Sequence, residues 1–183
     1  MKQVSEMTVV VGMGNIGRGV ASRFAALGDR VVGVNREQIE VDGVAEIVMP
    51  EGLAEVVGRA DAIVNTLPGT EGTYTTISRD VLAGVKPGVI VASVGRGNVI
   101  DQEALVEALT DERVGFAGLD VFVEEPLPQD DPLWTLDNVL ISPHTAALND
   151  NEDRLIAELF AANATRLLDG EPLINRVDTV HFY

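Results

Sequence analysis

The sequence contains no cysteine. Disulfides, thiol nucleophiles and cysteine-held metals are therefore excluded. Histidine occurs only at positions 144 and 181, so a histidine-rich metal site is excluded too and no metal is expected. Lysine is nearly missing, with Lys2 and Lys86 alone. The 13 basic residues face 29 acidic ones, for a net charge of −16. A nucleic-acid partner would need a basic patch, so none is expected. No apolar run approaches the roughly 18 residues that span a bilayer. No basic-then-apolar leader precedes the first apolar stretch. Neither a membrane partner nor export is expected, and the expected location is cytoplasmic. The acidic residues are scattered rather than blocked, so they do not form an acidic tail. Two readings fit: an ordinary acidic protein, or adaptation to a salt-rich, halophilic cytosol, where screening removes the self-repulsion of so many carboxylates; abundant Asp and Glu with scarce Lys favour the second.

What is present begins at Thr8 to Val11, a β-branched run that reads as a short buried strand. It enters Gly12-Met13-Gly14-Asn15-Ile16-Gly17, a Gly-x-Gly-x-x-Gly turn. Ile16, Val20, Phe24 and Leu27 then recur at helical spacing. In this strand–turn–helix context Gly12 makes the sharp turn, Gly14 admits a pyrophosphate close to the backbone, and Gly17 lets the helix pack on the sheet. The unpaired first-turn N–H groups and the helix dipole favour an anion there. Gly12, Gly14, Asn15, Ile16 and Gly17 are thus candidate dinucleotide contacts. A plain glycine-rich turn is the alternative.

The rest of the chain alternates strands and helices. Arg30 to Val34 reads as a second strand, Val44 to Met49 as a short third, and Leu53 to Val57 as a short helix. Asp61 to Asn65 reads as a fourth strand, Ser78 to Val85 as a helix, and Val89 to Ser93 as a fifth strand. Asp101 to Leu109 reads as a helix, Gly115 to Val121 as a sixth strand, and Val139 to Ile141 as a last short one. A helix over Asn151 to Leu168 and an extended tail from Leu173 to Tyr183 close the sequence. This alternation implies an α/β fold, a doubly wound parallel sheet of Rossmann type in three layers. No carboxylate ends the second strand; Asn35-Arg36 stands there instead. That favours NADP(H) over NAD(H), because an acid would bind the ribose 2′-hydroxyl whereas an Arg accommodates a 2′-phosphate; the plainer reading of Arg36 is a solvated loop charge. Glu37 is close, so NAD(H) remains a second cofactor. The loops after the fourth and fifth strands lie where open sheets bind ligands. Thr66, Leu67, Pro68, Val94 and Gly95 are therefore further candidate contacts.

Arg96, Glu125 and His144 all sit at strand ends or in the loops that follow. Arg grips a carboxylate through a two-pronged fork. His gives or takes a proton near neutral pH, and a neighbouring carboxylate orients its ring. Beside a hydride donor, these are the parts needed to reduce a 2-oxo acid. Each also has a plainer reading: a surface Arg, one solvated acid of the Glu124-Glu125 pair, a structural His.

Four segments bear on that choice. Ala92-Ser93-Val94-Gly95-Arg96-Gly97-Asn98-Val99-Ile100-Asp101 resembles the arginine signature of the D-isomer-specific 2-hydroxyacid dehydrogenases. Gly118-Leu119-Asp120-Val121-Phe122, Glu125-Pro126-Leu127-Pro128 and Pro132-Leu133-Trp134 resemble that family's glutamate segment. Asn138 to Ala146 resembles its histidine segment, and Gly12 to Arg18 its cofactor turn. The resemblance implies that Arg96 binds the substrate carboxylate and polarises the ketone. It implies that His144 donates the proton, that Glu125 rather than Glu124 holds His144, and that Asp120 bonds the nicotinamide carboxamide. His144 and Arg96 would thereby also border the cofactor. Glyoxylate and hydroxypyruvate reductases using NADP are the members most similar in look. Gly69 follows Pro68 where relatives often carry a larger residue.

In that family a substrate domain precedes the glycine turn, and the C-terminal tail returns to it. The expectation is therefore a cofactor-binding domain over residues 1–172 with most of the substrate domain absent, and a returning tail over 173–183. The parent enzyme would be a homodimer acting on a small 2-oxo acid or D-2-hydroxy acid. The alternative is a dinucleotide-binding module without turnover, including a redox-sensing interaction protein. The charge balance makes one prediction. The melting temperature rises between dilute buffer and molar KCl, as followed by circular dichroism; an unchanged value overturns the salt-adapted reading.

Overall fold

A computed structural model describes residues 7–177. Lys2, His181 and the last residues of the expected tail, 178–183, lie outside the described residues. The apolar runs form strands where the sequence places them: β1 (Met7–Val11), β2 (Arg30–Val34), β3 (Val44–Val48), β4 (Ala62–Asn65), β5 (Val89–Ser93), β6 (Val114–Leu119) and β7 (Val139–Ile141). They pair in the order β3-β2-β1-β4-β5-β6-β7, and every pairing is parallel. All seven carboxyl ends therefore lie on one edge, and the strand order reverses beside β1. That is the Rossmann pattern, with its crevice at the switch point.

Side-chain alternation explains the layers. In β1, Val9 and Val11 point into one core and Val10 into another. The larger core takes Leu53, Val56 and Val57 from α2 (Leu53–Val57), Val81 and Leu82 from α3 (Arg79–Ala83), and Ala104, Leu105, Ala108 and Leu109 from α4 (Gln102–Thr110). The smaller core takes Ala21 from α1 (Asn15–Ala26), with Val20 and Phe24 packed beside it. Helices thus cover both faces. On the α1 face, however, β5 to β7 present Ile90, Phe116 and Leu140, the last two 40% and 62% exposed.

Local chemistry sets the helix starts. Ser78 Oγ accepts the Val81 N–H at 3.4 Å, and Asp101 Oδ1 accepts the Ala104 N–H at 3.0 Å. Both residues are N-caps rather than first helical residues. The expected apolar stripe of α1 is shorter than its spacing suggests. Ile16 and Leu27, at its two ends, are 59% and 77% exposed. The buried positions are Gly17 and Ala21, because only small residues fit where the helix approaches β1. The sixth strand begins a residue earlier than expected and ends at Leu119, since Asp120 already turns its side chain toward the β7 end.

The chain divides into two compact units, Met1–His144 and Thr145–Tyr183. The second contains residues 145–151, α5 (Glu152–Leu168) and the segment after it. Asn163 bonds the backbone of Ile174 twice, at 3.1 and 2.9 Å, and Arg166 Nε donates to Pro172 O. Asn175 has φ 57°, so the described part of the tail bends back on the helix rather than running straight. Among the described residues, no helix is long and apolar enough to cross a membrane.

Leu105 is 2% exposed in the larger core. Leu105→Ala should cost about 2–5 kcal/mol of unfolding free energy in urea titration, the sum of lost transfer energy and a residual cavity. A loss within experimental error would contradict this packing.

Candidate active site

The glycine turn is defined by what a side chain would meet. Gly12 has φ +96° and donates its N–H to Val34 O at 2.9 Å. A Cβ on Gly17 would lie 1.9 Å from the Gly12 carbonyl oxygen, so helix and strand touch through hydrogen alone. A Cβ on Gly14 would meet nothing within 4 Å. The space before Gly14 is open, as the approach of a pyrophosphate requires. Gly14 is the N-cap of α1; no side chain caps the helix, and its first turn holds no acid. Asn15 and Ile16 stand exposed on that first turn. Arg18 donates from Nε to Met13 O at 3.0 Å, which keeps a cation beside the turn. These residues fit the pyrophosphate of a dinucleotide: open backbone, uncapped helix terminus, local positive charge.

Neighbouring loops are tied to the turn. Thr66, expected as a cofactor contact, donates its hydroxyl to Gly12 O at 2.8 Å. Its hydroxyl therefore holds the turn. Leu67 donates its N–H to Asn65 Oδ1 at 3.1 Å, and Asn65 Nδ2 donates to Ser93 Oγ at 3.0 Å. Leu67 and Pro68 are half-buried along this edge, as is Val94. Gly95 packs so closely that a Cβ would come 2.4 Å from Leu67 O. Gly69 has a packing reason as well. A Cβ there would lie 2.6 Å from Asn98 Oδ1 and 3.0 Å from Arg96 Cβ, so a larger residue would displace the arginine. At the end of β2, Asn35 is half-buried and its Nδ2 donates to Glu37 O at 2.9 Å; Arg36 is exposed beside it.

On the same edge, His144 Nδ1 lies 2.7 Å from Glu125 Oε2. Glu125 Oε1 accepts the Phe122 N–H at 2.9 Å. Each carboxylate oxygen is thus fixed, and among the described residues no hydrogen bond occupies the second ring nitrogen of His144, Nε2. His144 has φ 55°, a left-handed conformation that costs energy and recurs at functional positions. Burial pushes the Glu125 carboxyl up, but the hydrogen bonds from His144 and Phe122 and the charges of His144 and Arg96 outweigh it, so it titrates below its ordinary value. Arg96 is exposed, and its Nη1 donates to Gly95 O at 2.8 Å. Among the described residues no hydrogen bond joins Arg96 to Glu125 or His144; it acts on Glu125 through its charge. Asp120 is 5% exposed and accepts the Ser142 hydroxyl at 2.5 Å.

Sequence reasoning missed Asn65, Ser93 and Ser142. A signal existed: Asn65 and Ser93 are polar residues that end the apolar strands Ala62–Asn65 and Val89–Ser93, and both are fully buried. A buried polar side chain needs a partner, and the next strand end provides it.

The Glu125 shift carries a pH dependence. A carboxyl lowered in the folded state stabilises above its unfolded value and loses that contribution as pH falls through the folded one. Wild-type protein should therefore melt above Glu125→Gln at neutral pH, and the gap should close as pH drops below the ordinary 4.5. A gap constant across that range in calorimetry would count against the pair.

Residues 1–146 match the D-isomer specific 2-hydroxyacid dehydrogenase, NAD binding domain. A glyoxylate reductase of Korarchaeum cryptofilum is 38% identical over 165 residues, covering 88% of this chain and 49% of that protein. A D-isomer specific 2-hydroxyacid dehydrogenase from Xanthobacter autotrophicus Py2, solved in complex with NADPH and MES, superimposes with TM-score 0.90 at 34% identity, covering 97% of this chain and 72% of that one. The NADPH-dependent glyoxylate/hydroxypyruvate reductase of Sinorhizobium meliloti, solved with NADP and sulfate, gives TM-score 0.89 at 31% identity, covering 97% and 57%. The chain spans about half the length of the curated relatives it matches. It belongs to the D-isomer specific 2-hydroxyacid dehydrogenase family, of which it carries the NAD binding domain.

Proposed function

We propose that this chain is the cofactor-holding, catalytic half of an NAD(P)-dependent oxidoreductase that moves hydride between nicotinamide and a small 2-oxo or D-2-hydroxy acid, such as glyoxylate or hydroxypyruvate. The observation that carries this reading is the 2.7 Å His144–Glu125 contact, beside Arg96, on the strand edge that bears the glycine turn. The names of the relatives, glyoxylate reductase and glyoxylate/hydroxypyruvate reductase among them, support the substrate class.

Gly12, Gly14, Asn15, Ile16 and Gly17 would hold the pyrophosphate, and Asn35 and Arg36 the adenosine ribose. Leu67, Pro68, Val94 and Gly95 would line the nicotinamide side, with Thr66 holding the turn and Asp120 receiving the carboxamide. The bound dinucleotide would supply the hydride that reaches the carbonyl carbon. Arg96 would leave Gly95 O for the substrate carboxylate and lie near the carbonyl oxygen, where negative charge develops. His144 would give its Nε2 proton to that oxygen. Glu125, on Nδ1, would fix the ring plane and balance the imidazolium.

NADP(H) is the preferred cofactor in this reading, with NAD(H) also accepted. Its support is the absence of an acid at the end of β2 and the NADPH and NADP bound in similar structures. Residues 1–172 would form the cofactor domain, and 173–183 would return to a substrate domain within a homodimeric parent. The acid-rich surface would suit a salt-rich cytoplasm. A dinucleotide-binding module without turnover is the second reading, favoured by the chain's covering about half of its relatives.

Isothermal titration of the chain with NADPH and NADH, then addition of glyoxylate or hydroxypyruvate, tests the proposal. Binding is expected, tighter for NADPH. Oxidation on adding the acid, abolished in His144→Ala, would establish the reductase. Binding without oxidation would favour the module, and no binding of either nucleotide would overturn both.

A further inference from the structure

Four polar residues lie at or one residue past the carboxyl ends of adjacent strands: Asn65 and Ser93 on one level, Asp120 and Ser142 on the next. Asn65 ends β4 and pairs with Ser93, which ends β5. Asp120 follows β6 directly, and Ser142 follows β7. Hydrogen bonds run along the row. Asn65 Nδ2 donates to Ser93 Oγ at 3.0 Å, Asp120 N–H to Ser93 O at 3.0 Å, and Ser142 Oγ to Asp120 Oδ1 at 2.5 Å. Ser142 is also fixed through its backbone, whose N–H donates to Leu119 O at 2.9 Å. It lies two positions before His144.

We propose that Ser142 is a positioning residue for the nicotinamide ring. Its hydroxyl sets the rotation of the Asp120 carboxylate, the group assigned above to the carboxamide, and so this inference rests on the dinucleotide reading. Asp120 is 5% exposed. A buried carboxylate that accepts a hydroxyl at 2.5 Å has little rotational freedom. The same serine belongs to the segment that presents His144. One side chain therefore ties the acceptor of the carboxamide to the strand end that carries the proton donor. Hydride and proton must reach two adjacent atoms of one carbonyl, and a shared anchor keeps the two deliveries in one frame.

The role predicts a split between two ligands that differ in the nicotinamide ring alone. NADPH has it; 2′-phospho-ADP-ribose keeps the adenosine, 2′-phosphate and pyrophosphate without it. By isothermal titration, Ser142→Ala should weaken NADPH about tenfold, the scale of one hydrogen bond to a charged group, and leave 2′-phospho-ADP-ribose within about twofold. Ser142→Thr, which keeps the hydroxyl, should restore NADPH affinity. Unchanged NADPH binding in Ser142→Ala removes the assignment alone. Equal loss for both ligands, or no rescue by Thr, assigns Ser142 a merely structural part and removes it too. Wild-type protein that binds neither ligand removes the dinucleotide reading, and this assignment with it.

Discussion

The approach of α1 to β1 at Gly17 and Gly12 is the contact on which the site depends. The carbonyl oxygen of Gly12 faces the Gly17 α-carbon so closely that no side chain fits between them. The same oxygen accepts the Thr66 hydroxyl from the end of β4. One backbone atom therefore joins the first strand, the first helix and the loop after the fourth strand. The chain leaves β1 with its helix terminus aimed across the carboxyl edge only because two hydrogens stand where methyl groups would. From Thr66 the linkage continues through Asn65 and Ser93 to Asp120 and Ser142. The crevice is a bonded plate, and the loops above it inherit its rigidity.

Electrostatics at this edge run against the sign of the whole molecule. The net charge is −16, yet the edge gathers an uncapped helix N-terminus, Arg18, Arg36 and Arg96 against the two carboxylates Asp120 and Glu125. Screening reconciles the two. At physiological ionic strength the Debye length is about 8 Å, so a bound anion senses the nearest groups far more than the distant surface. A helix terminus contributes roughly half a positive charge, and each arginine a full one. Salt would thus relieve the repulsion among surface carboxylates while weakening the contacts inside the crevice less, since these are close.

Much of this was legible in the sequence. The Val9–Val11 run before Gly12, the strand alternations and the placement of Glu125 and His144 at strand ends all follow from period, composition and spacing. The partnership of Glu125 with His144 was suggested by resemblance, and the 2.7 Å contact gives it a geometry. The strand-end row was less legible. Ser142 and Ser93 lie far apart in sequence, and only the sheet register brings them to successive levels of one edge, Ser93 beside Leu119 and Ile141, Ser142 one residue beyond. Ile16 and Leu27 misled for a related reason. Helical spacing names a face of α1, but the depth of its seat on the sheet is set by Gly17 and Ala21, which carry no hydrophobic signal.

The single tryptophan has an optical consequence. Trp134 is half-exposed, and its indole Nε1 donates to Pro128 O at 2.8 Å. Asp131, three residues earlier, caps the short turn over Pro132–Thr135. The indole is thus fastened to the same loop that carries Glu125. Its emission wavelength senses water around that loop. A red shift during slow heating, ahead of the loss of helical ellipticity, would mark this loop as the first part of the site to come apart. The chromophore is native, so no label is needed to watch it.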